Sequence, residues 1–136
     1  MTLQVYEVFE KVSSAKTREE KIKILKDNNH HAVRDIIKGG MDPNVKWLLP
    51  KGRPPFKANI PESPPSTLLK ENRKFAYFVE GGIETTKVKR ERIFIGILES
   101  IHPADAELVL NMVAKKTPVK GLTKKLVQEA YPGLLS

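Results

Sequence analysis

The sequence predicts an all-α fold, a compact bundle of about seven helices with a long proline-rich connector, on three observations. Apolar residues recur at the i, i+3, i+4, i+7 spacing of a one-sided helix along most of the chain. Capping residues and glycine or proline stops separate these stretches. No stretch carries a convincing strand pattern. The 136 residues suit one domain spanning 1–136.

The first helix is predicted over 3–13, with Val5, Val8, Phe9 and Val12 on one face. Thr17-Arg18-Glu19-Glu20 reads as a capping box that opens a second helix. In it the Thr17 hydroxyl accepts from the third helical N–H and Glu20 reaches back to the N–H of Thr17. This helix runs to about Asp27 and buries Ile22 and Leu25. Asn28-Asn29 interrupts it and caps a third helix, which buries Val33, Ile36 and Ile37 and stops at Gly39-Gly40. Asp42-Pro43-Asn44 could open one more helical turn carrying Val45, Trp47, Leu48 and Leu49.

Prolines at 50, 54, 55, 61, 64 and 65 leave no regular element in the connector 50–65. Helix restarts at Ser66-Thr67, with Leu68, Leu69, Phe75, Phe78 and Val79 as its apolar positions, and stops at Gly81-Gly82. The strongest helix is 85–101, with Phe94, Ile97, Leu98 and Ile101 inward. Pro103 suits the first position of a largely buried helix, 103–114. The last helix, about 122–131, turns Leu122, Leu126, Val127, Ala130 and Tyr131 inward and Lys124, Lys125, Gln128 and Glu129 outward.

Composition narrows the function. No apolar run approaches the roughly 18–20 residues that span a bilayer, so no membrane partner is expected. The N-terminus lacks a basic region followed by an apolar core, and the expected location is cytoplasmic. With no cysteine, disulfides, thiol catalysis and thiolate metal sites are excluded. Lys and Arg total 24 against 16 acids, a net charge of +8. The excess gathers in three places. Residues 43–61 hold Lys46, Lys51, Arg53 and Lys57 with no acid; residues 85–92 hold Lys87, Lys89, Arg90 and Arg92 against Glu91. Residues 111–128 hold Lys115, Lys116, Lys120, Lys124 and Lys125, again with no acid. Such clustering suits a polyanionic partner.

Signals for catalysis are poor. His30 and His31 are adjacent, pointing about 100° apart on a helix, and His102 is distant, so no metal site is expected. No Gly-rich phosphate loop and no recognisable catalytic triad occurs, and no cofactor is expected. Asp105 and Glu107 fall on different sides of their helix and read as favourable charge in its first turn.

The most specific element is 115–125, Lys-Lys-Thr-Pro-Val-Lys-Gly-Leu-Thr-Lys-Lys. Gly121 stands just before a helix start, where close backbone approach, unpaired N–H groups and the positive dipole end suit a phosphate. Lys115, Lys116, Lys120, Lys124 and Lys125 would ring that point, with Thr123 as cap. Lys46, Lys51 and Arg53 on the connector form a second candidate group, and Trp47 beside them suits a core anchor better than a base-stacking platform. Helix 85–101 offers a third charged face.

Two stretches carry a resemblance. Phe9 through Lys26, a short helix, a Ser/Thr-led capping turn and a Lys-rich helix, resembles the opening of compact phage-type ATP-dependent DNA ligases. Lys120-Gly121-Leu122-Thr123 through Tyr131-Pro132-Gly133-Leu134 resembles the end of the same ligases' N-terminal DNA-binding domain. The 45–52 stretch, Val-Lys-Trp-Leu-Leu-Pro-Lys-Gly, sits where those ligases also carry an aromatic, basic, proline-containing connector. The chain is also similar to small proteins of tailed phages.

The resemblance implies an all-helical module that holds duplex DNA, nicked DNA included, through the phosphate backbone. Its matching positions are Lys120, Gly121, Thr123, Lys124 and Lys125, with Lys46, Lys51 and Arg53 on the connector. The ligase Lys-x-Asp-Gly motif is missing, as is a nucleotidyltransferase domain, so the expectation is a non-enzymatic protein. It would bind DNA without sequence preference and serve phage DNA replication, repair or transcription in the host cytoplasm. The alternative keeps the fold and assigns a phage or host protein as partner, making the chain an adaptor, virion component or host-takeover factor.

Overall fold

The computed structural model describes residues 3–50, 54–58 and 64–135. Among them are seven α-helices and no strand, so the fold is all-α as expected. They are α1 (Val5–Ser14), α2 (Arg18–Asp27), α3 (His31–Met41), α4 (Leu68–Glu71), α5 (Lys87–Ser100), α6 (Pro103–Val113) and α7 (Lys124–Ala130), with a 3₁₀ segment over Asn72–Tyr77. The buried side chains form one cluster to which every α-helix contributes. At its centre α6 packs on α3, α1 and α5, while α2 packs on α1 and α7.

The caps explain the boundaries. Glu20 donates its N–H to Thr17 Oγ1 at 3.2 Å, but its carboxylate takes the N–H of Lys16 instead of Thr17, one residue earlier than expected. Thr86 caps α5 by accepting from Lys89 N, and Thr123 caps α7 by accepting from Leu126 N, both at 3.2 Å. His102 Nδ1 accepts from Ala104 N at 3.0 Å and starts α6 beside Pro103. The α2 and α7 ends are tied by Tyr131, whose hydroxyl donates to Leu25 O. Burial pushes that phenol up to about 12.

Six local expectations change. The residue capping α3 is His30, while Asn28 closes α2. Gly39-Gly40 does not end α3, which continues to Met41. The two glycines lie against α6 and its exit: a Cβ on Gly39 would meet Met112 and Trp47 at 2.6 Å, and one on Gly40 would meet the Lys116 carbonyl at 2.5 Å. Close helix approach, not a helix stop, is their reason. Nor does Asp42 open another helical turn. Its carboxylate accepts from Asn44 N at 2.9 Å, and the chain then runs extended, pairing Trp47 with Val79 in a single antiparallel bridge. Leu48 N donates to Phe78 O at 2.6 Å and Glu80 N to Lys46 O at 2.9 Å. The helix expected from Ser66 shortens to one turn before tightening to 3₁₀, and α7 is shorter than expected.

The sixth correction is Asp105. It lies in the first turn of α6 as expected, but as a buried group, 1% exposed, whose Oδ1 accepts from Tyr6 N at 2.9 Å. The Tyr6 ring stacks on His102, centroids 4.1 Å apart. Together these contacts fasten the start of α1 to the start of α6.

Candidate nucleic-acid interface

The turn after α6 is built by a lysine in an unusual backbone state. Lys115 has φ 61°, a left-handed conformation that usually falls to glycine. Lys115 N donates to Met112 O at 3.0 Å and Lys116 N to Asn111 O at 2.9 Å, the paired bonds of a Schellman helix end. The side chain turns inward. Lys115 Nζ donates to Gly39 O (2.8 Å), Asp42 O (2.6 Å) and Val45 O (3.1 Å), so one ammonium holds carbonyls at and just past the end of α3. Desolvation lowers its pKa, against the opposing pull of Asp42. Lys115, expected at the phosphate site, is thus a structural clamp with its donors committed. Lys115→Met is expected to lower the unfolding free energy by about 2 kcal/mol, because three charge-assisted hydrogen bonds are lost together. Chemical denaturation checks this; an unchanged midpoint would show the clamp to be idle.

Lys116 follows and is exposed, as is Lys46 on the extended segment after α3. Both border one cleft of about 750 Å³ between that segment and the C-terminal half of α6. Trp47, Leu49, Phe94, Leu110 and Val113 form its apolar walls, and no acid lines it. Trp47 is held in place: Nε1–H donates to Gly39 O at 3.0 Å, and the ring meets Phe75 edge-on with centroids 6.2 Å apart. The core-anchor role is the one seen, with the indole also forming a wall of the cleft.

Lys120, Gly121, Thr123, Lys124 and Lys125 are exposed around the start of α7, so that tip is open. Gly121 has φ 90°, which by itself calls for glycine, and the Lys21 ammonium lies 2.8 Å from where a Cβ would stand. Lys21 is the cation that sequence reading missed. It comes from α2, and nothing local in the sequence marks α2 as the neighbour of α7. The helix is only seven residues long and Thr123 already takes the Leu126 N–H, so the positive character here comes mainly from ammonium groups. Lys51 and Arg53 lie outside the described residues.

Among the described residues the ion pairs join Arg18 to Glu129, Lys23 to Asp27 and Lys74 to Glu71. None reaches Lys46, Lys116, Lys120, Lys124 or Lys125. On α5, Arg90 is also structural, donating to Tyr77 O (3.0 Å) and Thr85 O (3.3 Å), while Lys87, Lys89 and Arg92 face solvent. No group of three or more His, Cys, Asp or Glu side chains able to hold a metal occurs among the described residues, and no helix there is long and apolar enough to cross a membrane.

No curated protein and no solved structure matches the chain. A family described as of unknown function (DUF6433) matches residues 8–118, from α1 through the turn that carries Lys115 and Lys116, and the chain belongs to that family.

Proposed function

We propose that the protein binds DNA without sequence preference, through the phosphate backbone and without catalysing a reaction. The observation that carries this reading is the pairing of Lys46 and Lys116. They come from distant parts of the sequence, border one cleft without an acid, and take part in no ion pair among the described residues. Lys120, Lys124 and Lys125 are also exposed and without a carboxylate partner in that set, and supply further cations for phosphates. The resemblance to ligase DNA-binding domains supports the same assignment. Base readout is not part of it, since among the described residues no group of Arg, Asn and Gln side chains shares an exposed helix face.

Binding through five lysines releases condensed counterions. Log affinity for duplex DNA is then expected to fall with log salt at a slope of about −4.5. Replacing Lys120, Lys124 and Lys125 with Ala together should bring it to about −2. Fluorescence anisotropy over a salt series measures both; no binding of duplex at low salt would sink the proposal, and an unchanged slope in the triple variant would remove α7 from the interface.

A protein-binding role has one observation in its favour. Leu48 and Ile83 are 42% and 49% exposed and line a shallow hollow beside Arg90, with Val88, 67% exposed, in the first turn of α5. Copurification of an acidic protein, with no shift of duplex DNA at low salt, would select that role instead.

A further inference from the structure

We propose that the cleft between Trp47 and α6 takes one unpaired nucleotide of a DNA strand, its base inside and its flanking phosphates on Lys46 and Lys116. This rests on the DNA-binding reading and narrows its substrate to DNA with a nucleotide out of the stack.

The chemistry of the cleft selects the occupant. Its walls at Trp47, Leu110 and Val113 are apolar, which suits the faces of a planar ring. Asn111 lines the same space, and its side-chain amide makes no hydrogen bond among the described residues. An amide offers both donor and acceptor, as the edge of a base requires. The two bordering ammonium groups call for anions on the outside. An apolar peptide would leave both cations and the amide unused. A fully paired duplex would supply phosphates but leave the cavity empty. A nucleotide turned out of the helix satisfies all three.

Preorganisation favours this use. The Trp47 ring is already fixed by its bond to Gly39 O and by Phe75, so stacking freezes no rotamer there. A volume of about 750 Å³ lies within the range of small-ligand sites.

The test compares three duplexes with the full chain: fully paired, carrying one extrahelical thymidine, and carrying an abasic residue at that point. The base-bearing bulge is expected to bind about tenfold more tightly than the other two, the worth of one stacked base. Trp47 is the chain's single Trp, so its fluorescence should be quenched by that duplex alone. Val113→Phe, which fills the cleft, and Asn111→Ala should each reduce the preference for the base-bearing bulge over the abasic one. Thermal melts confirm that both variants fold. Equal binding of base-bearing and abasic bulges overturns the inference, as does a preference that survives in both variants. If all three duplexes bind equally with a steep salt dependence, the nucleotide site falls and DNA binding stands. If none binds at low salt, both fall.

Discussion

Gly40→Ala is expected to destabilise the protein by about 2 kcal/mol, while Gly96→Ala is expected to stabilise it by about 1 kcal/mol. Both glycines lie inside α-helices, and on helix propensity alone each substitution should help by about 1 kcal/mol. Packing decides the sign. At Gly96 the added methyl meets nothing within 4 Å beyond its own neighbours in the helix, so the propensity gain is kept. At Gly40 the methyl would stand 2.5 Å from the Lys116 carbonyl oxygen, with Met112 Cα at 3.6 Å behind it. Backbone cannot swing aside as a side chain can, so α3 and the exit of α6 must part. Overpacking of this kind costs about 1–3 kcal/mol or more, which exceeds the gain. Urea unfolding followed by circular dichroism gives both numbers, and the same sign at the two positions would refute the close-approach explanation. There is a functional corollary. The Gly40 contact brings α3 against the Lys115–Lys116 turn, and Lys115 fastens that turn to Gly39, Asp42 and Val45. Parting the helices loosens the cleft, so Gly40→Ala should also weaken DNA binding, whereas Gly96→Ala should not.

The same glycines illustrate what the sequence can and cannot convey. The periodic stretches of α1, α5 and α6 were legible because burial of one face is written in residue spacing: Val5, Val8, Phe9 and Val12 are buried, as are Phe94, Ile97, Leu98 and Ile101. Thr17, Thr123 and Pro103 mark helix starts by local chemistry, and the structure places them there. Gly39-Gly40 carries the same letters whether it ends a helix or admits a neighbour; only the position of Met112 and Lys116 decides. Lys115 presents the same difficulty in reverse. A lysine before another lysine reads as solvated charge, yet its target carbonyls lie more than sixty residues earlier. Lys21 and Asn111 were invisible for that reason too. The exposed lysines of 116–125 were readable because exposure is the default for lysine.

Asp105→Asn is expected to make the protein more stable than the parent at pH 8 by up to about 4 kcal/mol, with the two nearly equal at pH 4. Burial raises the Asp105 pKa from the ordinary 3.8 to about 7; the Glu7 charge adds to the rise and the Tyr6 N–H bond opposes it. The folded protein therefore holds this proton more tightly than the unfolded chain. The contribution of the group to stability is complete below pH 3.8, is lost progressively as pH rises to about 7, and changes no further above that. Asn cannot ionise, yet its side-chain oxygen can still accept from Tyr6 N, so the fastening of α1 to α6 survives. His30, whose pKa is lowered chiefly by desolvation, contributes an opposite trend at lower pH, and Asp35, raised by desolvation, contributes in the same direction as Asp105. The difference between variant and parent cancels both. Urea unfolding at pH 4.5, 6 and 8 measures that difference, and a value constant across the three would remove Asp105 as the source. DNA affinity is expected to stay outside this effect at temperatures where both proteins are folded. Asp105 lies in the first turn of α6, whereas Leu110, Asn111 and Val113 line the cleft from its last turns. At 1.5 Å per residue the ends are about 10 Å apart along the axis, and the proton at one end sets how tightly α1 is held without reaching the cations at the other.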